Sequence, residues 1–288
     1  MLYYPDDLVD RWIMDDVNQG DLTTRILGFG AVRGTISFSL REPGRVSGVD
    51  AAEKVLRRLG LEITERLADG SDNDGSSSLI AAAGRAAALH QAWKVCQNIL
   101  EWACGVAAYT SLMVRAAQAV NPAVQVAATR KNIPGTKLLA LAAVLDGGGI
   151  IHRGGTSESI LLFANHRRFL GFTGTGEDWK KIVAALKAEA PEKKIVVEAD
   201  TREEALLALA ADPDILQLDK FSPPDVRGIV EEAAKRGSRC LVSAAGGVTR
   251  ENAAEYAAAG AGLIVSSAPY YAKPADVKVV LSPAGPDR

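Results

Sequence analysis

The chain has 288 residues, 48% apolar and 24% charged, with 33 basic side chains against 35 acidic ones and a formal charge of −2. That length sets a prior of about two domains at about 150 residues each, and the composition is that of a globular chain, not a disordered one. The near-neutral balance excludes attachment to nucleic acid or anionic lipid through net charge, so a charged ligand has to be met by local groups. The start of the chain carries Asp6, Asp7, Asp10, Asp15 and Asp16 where an export leader needs basic residues, and no uninterrupted apolar run approaches ~18 residues. The three cysteines are odd in number, and Cys96 and Cys104 lie eight apart in a helical stretch, too far to bridge. With Cys240 they predict reduced thiols and a cytoplasmic protein.

Residues 34–40 (GTISFSL) and 61–67 (LEITERL) alternate like strands, with a short helix at 51–59 between them, which makes an α+β unit. Residues 69–78 (DGSDNDGSSS) have neither helical nor strand period and are expected to form a mobile surface loop. From 85 to 109 the apolar residues Leu89, Trp93, Cys96, Ile99 and Leu100 recur at helical spacing, predicting a long helix that leads out of this unit. Past residue 120 short β-branched runs at 124–128, 159–162, 195–198, 215–219, 240–244 and 263–267 are separated by Ala-rich helical stretches. Thr201, Ser222 and Thr249 each open such a stretch as a cap with an acid in the first turn. Strand and helix in alternation predict parallel βα units. About six units without GxGxxG favour an α/β architecture with a closed or nearly closed, that is incomplete, about six-stranded β/α barrel; a doubly wound open sheet is the alternative. The domain boundary is expected near 104, residues 1–104 being joined by 271–288 and residues 105–270 forming the barrel.

Barrel enzymes carry their chemistry at the C-terminal ends of the strands. Thr129, Arg130 and Lys131 follow the first run, and His152 and Arg153 precede the second. Glu198 ends the third, Asp219 the fourth, Ala245, Gly246 and Gly247 the fifth, and Ser266 and Ser267 the sixth. Each alone reads as a surface charge or a cap, but together they predict one polar mouth. The glycines, expected to open a helix, with the paired serines resemble a phosphate cradle of backbone N–H groups and hydroxyls. Gly147, Gly148 and Gly149 have no strand before them and no Lys-Ser/Thr after them, so they form no P-loop and are expected to be a flexible approach to His152. Glu198 and Asp219 suit Mg²⁺, a hard ion that shares its shell with substrate phosphates. The histidines His90, His152 and His166 show no zinc spacing.

These residues resemble the motifs of the quinolinate phosphoribosyltransferase (nicotinate-nucleotide pyrophosphorylase) family, and more closely its ModD branch, associated with molybdenum-transport genes. Residues 20–24 (GDLTT) are similar to its GDxT, 129–135 (TRKNIPG) to TRKTxPG, and 147–153 (GGGIIHR) to GGGxxHR. Asn165-His166, Val197-Glu198, Leu218-Asp219 and Gly246-Gly247 follow in order. The resemblance implies an N-terminal α/β sandwich beside a type II phosphoribosyltransferase barrel. It implies attack of a heteroaromatic ring nitrogen on phosphoribosyl pyrophosphate with loss of pyrophosphate. Lys131, Glu198 and Asp219 are the catalytic candidates, the two acids with Mg²⁺. Lys94, Thr129, Arg130, His152, Arg153 and Phe163 are the candidates for the base, and Ala245, Gly246, Gly247, Ser266 and Ser267 for phosphate. It further implies a homodimer in which Lys94 reaches the partner's site, with higher assembly open, and neither nucleic acid nor membrane as partner.

The departures bear on substrate. Phe163 and Ala164 stand where the family has Lys and Asp, Lys94 where it has Arg, and Ala245, Ser243 and Ser267 replace a Ser, an acid and a Gly. Fewer cations facing the base argue for an acid related to quinolinate or nicotinate, with less negative charge than quinolinate or a larger apolar face. Two other classes compete: a non-catalytic ligand-binding or regulatory protein linked to molybdenum transport, and a Schiff-base aldolase using Lys131 or Lys220.

Overall fold

The computed structural model describes residues 2–284. In chain order the first elements are α1 (Asp6–Val17), α2 (Leu22–Leu27), β1 (Arg33–Leu40), β2 (Gly44–Arg45), α3 (Val49–Arg58), β3 (Glu62–Arg66), β4 (Asp72–Asn73), β5 (Ser78–Arg85) and α4 (Ala86–Gln118). Then come β6 (Gln125–Ala128), α5 (Lys137–Asp146), β7 (Ile150–Ile151), β8 (Ile160–Leu162), α6 (Ala164–Phe169) and α7 (Gly176–Glu189). The rest are β9 (Ile195–Ala199), α8 (Arg202–Leu209), β10 (Ile215–Asp219), α9 (Pro223–Lys235), β11 (Leu241–Ala245), α10 (Ala253–Ala258), β12 (Leu263–Ser266) and β13 (Val277–Pro283). They divide into two compact units. One runs to Ser111 and takes in Asn132–Gly148 and the chain from Pro269 on; the other holds Leu112–Lys131 and Gly149–Ala268.

The first unit is built on an antiparallel sheet in the order β13-β1-β5-β3. Ile36, Phe38 and Leu40 alternate inward from β1, as its period of two requires. Helix α3 buries Val49, Ala51, Ala52, Val55 and Leu56 on one stripe. Its N-cap, Gly48, has no side chain to offer, and Asp69 takes over: its two carboxylate oxygens accept from the Val49 and Asp50 N–H groups at 2.8 and 2.9 Å. The stretch 69–78 is therefore not the unattached loop its composition suggests. Besides the cap, β4 pairs with β2, and Asn73 is buried, accepting from Gly75 N–H and donating to the Ser77 carbonyl.

The second unit is a parallel sheet in the order β7-β6-β12-β11-β10-β9-β8, with β7 and β8 at its two edges. It has seven strands where six were expected, because β7 is a two-residue strand too short to leave a pattern. All six strands read from the sequence are present. Thr201 and Ser222 cap α8 and α9 as expected, accepting from the Glu204 and Asp225 N–H groups. Thr249 does not open a helix: its N–H donates to the Asn252 side chain, and α10 starts only at Ala253. Gly147 is no flexible approach, since a Cβ there would lie 2.6 Å from both the Ala107 carbonyl and the Thr110 side chain. Cys96, Cys104 and Cys240 are free and buried, and among the described residues no helix is long and apolar enough to cross a membrane.

Candidate functional site

The carboxyl ends of the parallel strands of the second unit border a cavity of about 300 Å³. On one side it is cationic. Arg130 and Lys131 follow β6, where the Lys131 N–H donates to Thr129 Oγ1 and tightens the turn. The His152 N–H donates to the Ala128 carbonyl, extending the β6–β7 pairing and bringing His152 and Arg153 to the same mouth. Arg153 is 7% exposed, and its guanidinium donates to the Ser159 carbonyl at 3.4 Å. Burial, then the Arg130 charge, hold its pKa below the usual value, an imbalance that an anion between the two would relieve. His152 is also held low by burial and by Arg153, which favours the neutral ring, and its Nε2 is buried without a partner.

The opposite side is acidic. Glu198 is the penultimate residue of β9 and Asp219 ends β10. Glu198 Oε2 accepts from Gln217 Nε2 at 2.8 Å. Burial raises the Glu198 pKa and the Asp219 and Asp200 carboxylates add to the shift, against the Gln217 bond. Asp219 forms an ion pair with Lys220 at 3.2 Å. Arg167 braces this side from below: it is buried, and its two amino groups donate to the Glu198 carbonyl at 2.7 Å and to Glu204 at 3.2 Å. Two carboxylates facing a cavity, each with further oxygen ligands to come from a substrate, are the donor set a Mg²⁺ ion takes.

The third side is the turn after β11. Gly246 and Gly247 both have φ near +80°, and a Cβ on Gly246 would meet Asp219 Oδ1 at 2.5 Å, so the turn tolerates no side chain there. The Asn252 side chain ties the turn down, donating to the Gly247 carbonyl and accepting from Thr249 N–H. This corrects the expectation of a helix N-terminus behind the glycines: whatever anion binds here meets loop N–H groups and no helix end. Ser266 and Ser267 both line the cavity. Ser266 is buried at the end of β12, and its hydroxyl donates to the Val248 carbonyl at 2.6 Å and accepts from Ala268 N–H, so it also fastens the turn.

Phe163 lines the mouth and is not core packing. Its ring lies 5.7 Å from that of His166, whose Nδ1 accepts the Phe163 N–H. Ala245 also borders the cavity. Lys94 belongs to the first unit, exposed on α4, where its ammonium donates to Gln97 and sits 4.9 Å from the Trp93 ring centroid. Gln217 and Arg167 were not singled out in the sequence. A lone Gln inside an apolar strand was the available signal for the first; an Arg buried by packing on Phe172 and Trp179 leaves none.

The family model for the quinolinate phosphoribosyl transferase C-terminal domain matches residues 106–280, and that for the N-terminal domain matches residues 21–104. The chain belongs to the quinolinate phosphoribosyltransferase family. It is 48% identical over 99% of both chains to a protein of Escherichia coli O157:H7 named as a pyrophosphorylase, ModD. It is 31% identical, over 90% of this chain and 91% of the other, to a Methanothermobacter thermautotrophicus protein named as a nicotinate-nucleotide pyrophosphorylase (carboxylating). The structure of the nicotinate-nucleotide pyrophosphorylase from Francisella tularensis superposes with a TM-score of 0.86 at 26% identity, covering 97% of this chain and 98% of that one. Membership in the quinolinate phosphoribosyltransferase family makes the chain an enzyme of the phosphoribosyltransferase type, with the α/β fold of its structural neighbours.

Proposed function

We propose that the protein transfers the phosphoribosyl group of phosphoribosyl pyrophosphate to a heteroaromatic acid related to quinolinate or nicotinate, with fewer carboxylates facing protein cations than quinolinate has. The observation that carries this is the arrangement of charge round one cavity: Arg130, Lys131 and Arg153 on one side, Glu198 and Asp219 on the other, and the Gly246-Gly247 turn between. A ligand with an anionic ring, a cation-bound pyrophosphate and a terminal phosphate satisfies all three at once.

In this reading Arg130 and Arg153 hold the carboxylate of the base as planar donors, and Phe163 stacks against its ring. The ring nitrogen attacks C1 of the ribosyl group as the bond from C1 to the pyrophosphate oxygen breaks, and the electron pair departs with pyrophosphate. Lys131 stabilises the charge that develops on the leaving group. Mg²⁺ held by Glu198 and Asp219 supplies further charge neutralisation there when bound. The loop N–H groups of Gly246 and Gly247, with Ser267, hold the 5-phosphate. The functional unit is a homodimer whose second copy supplies Lys94.

The test is pyrophosphate release from phosphoribosyl pyrophosphate and Mg²⁺ with a panel of pyridine mono- and dicarboxylates. Turnover with a monoacid exceeding that with quinolinate supports the proposal. Inactivity with every base, or quinolinate as the best substrate, overturns it.

A further inference from the structure

Glu198, Gln217 and Ser243 stand in a row across three neighbouring strands. Gln217 is in register with Glu198 between β10 and β9 and with Ser243 between β10 and β11, so the three project from one face of the sheet. Glu198 and Gln217 both line the cavity, which makes that face its wall. A strand buried on both faces of a parallel sheet ordinarily reads as a continuous apolar run, and Leu216 and Leu218 on either side of Gln217 keep to that rule at 0% exposure. Gln217 breaks it at 5% exposure. Burying a primary amide is costly unless its hydrogen bonds are made, and here only one end is answered. Nε2 donates to Glu198 Oε2, while Gln217 Oε1 and Ser243 Oγ are buried with no partner. An apolar side chain of the same length would serve the strand better, so the amide is kept for what it holds. A carboxylate turns easily about its last torsion, and the bond to Oε2 fixes that torsion and leaves Oε1 for a ligand.

We propose that Gln217 is the positioning residue of the divalent-cation site, setting the Glu198 carboxylate in the one orientation in which it shares a cation with Asp219. This rests on the part given above to Glu198 and Asp219. Ser243, next in register, lies on the same face with its own hydroxyl unanswered, so the bond to Glu198 is what holds the amide.

The test is Mn²⁺ binding followed by electron paramagnetic resonance in the presence of pyrophosphate, which needs no turnover, on the full chain and on Gln217→Met, Gln217→Ser and Glu198→Gln. Methionine keeps the length and apolar fit of the side chain, and serine keeps a polar group that lets water in. Both are expected to weaken Mn²⁺ binding by about tenfold or more, the usual loss when a ligand's supporting hydrogen bond is removed. Gln217→Met is expected to melt no lower than the unmodified protein. Wild-type affinity in either Gln217 variant, with Glu198→Gln weakened, overturns the positioning role and leaves Glu198 as a cation ligand. Wild-type affinity in Glu198→Gln overturns both.

Discussion

The guanidinium carbon of Arg153 lies 5.7 Å from the centroid of the Phe163 ring, so one wall of the cavity is at once cationic and aromatic. A flat ring bearing a single carboxylate can stack on Phe163 and be gripped by Arg153, whereas a second carboxylate directed toward Phe163 finds no donor. Phe163→Lys is therefore expected to raise kcat/KM for quinolinate, by about tenfold for each 1.4 kcal/mol of pairing recovered, with a smaller change for nicotinate-like monoacids. Steady-state kinetics on the two acids decide it. An equal gain for both, or none for quinolinate, shows that Phe163 does not set the charge of the base.

Gly246→Ala places a methyl group against Asp219 Oδ1 and keeps a left-handed backbone that costs an L-residue about 1–2 kcal/mol. The turn has to shift away from Asp219. Activity is expected to fall by more than about tenfold, with a lower melting temperature. Unchanged kcat at saturating phosphoribosyl pyrophosphate would show that the contact between turn and acid is not needed for turnover.

In the first unit, burial pushes the Asp146 carboxyl up to about 6, and the Asp69 and Asp50 charges add to this against the Ser47 hydroxyl, which donates to Asp146 Oδ2 at 2.6 Å. The unfolded chain titrates near 3.8. Between these values the folded state binds more protons, so this group lowers stability as pH rises through the window, and the loss is complete above it. Asp146→Asn keeps the acceptor for Ser47 without the charge. It is expected to raise the melting temperature at pH 7.5 by about 2–4 °C, for about 1 kcal/mol once solvent screening is allowed for, and to leave it unchanged or lower at pH 4. Calorimetry at the two pH values checks this; equal shifts at both would show that charge is not the cause.

The dimer proposal has a genetic form. Lys94→Ala and Glu198→Gln remove groups from different places, and a site shared between two copies lets one intact mouth form in a mixed dimer. Each variant alone is expected to be weakly active, and refolding them together is expected to restore activity well above the sum. No gain on mixing places Lys94 outside the partner's site.

The six main strands were legible because β-branched runs at regular spacing have few other uses, and the polar residues after them were legible as a set because strand ends share a mouth. Strand β5 was not, since the Ala-rich run of residues 81–83 has no preference between strand and helix. The cap that Asp69 makes for α3 was hidden because it acts across 19 and 20 residues, beyond any local signature. Thr249 looked like the cap it is not, since its sequence fits a helix start; the glycine turn before it is long enough for Asn252 to intervene. The motif residues gave the membership of the mouth, but the buried partners Gln217 and Arg167 depend on which strands neighbour one another, and that order comes only from the fold.

The ladder from β1 to β13 pairs residues 34–40 with residues 277–283. On the ribosome, β1 emerges early with one edge unpaired, and its proper neighbour is made only after the whole parallel sheet has been synthesised. Through most of translation the first unit therefore presents an open strand edge of the kind that recruits wrong partners. The chain keeps Ser37 and Ser39 along that strand and closes its edge last. A protein truncated before residue 277 would leave the β1 edge open and would also lose the Val277 carbonyl that accepts from Gln97, the side chain that Lys94 bonds.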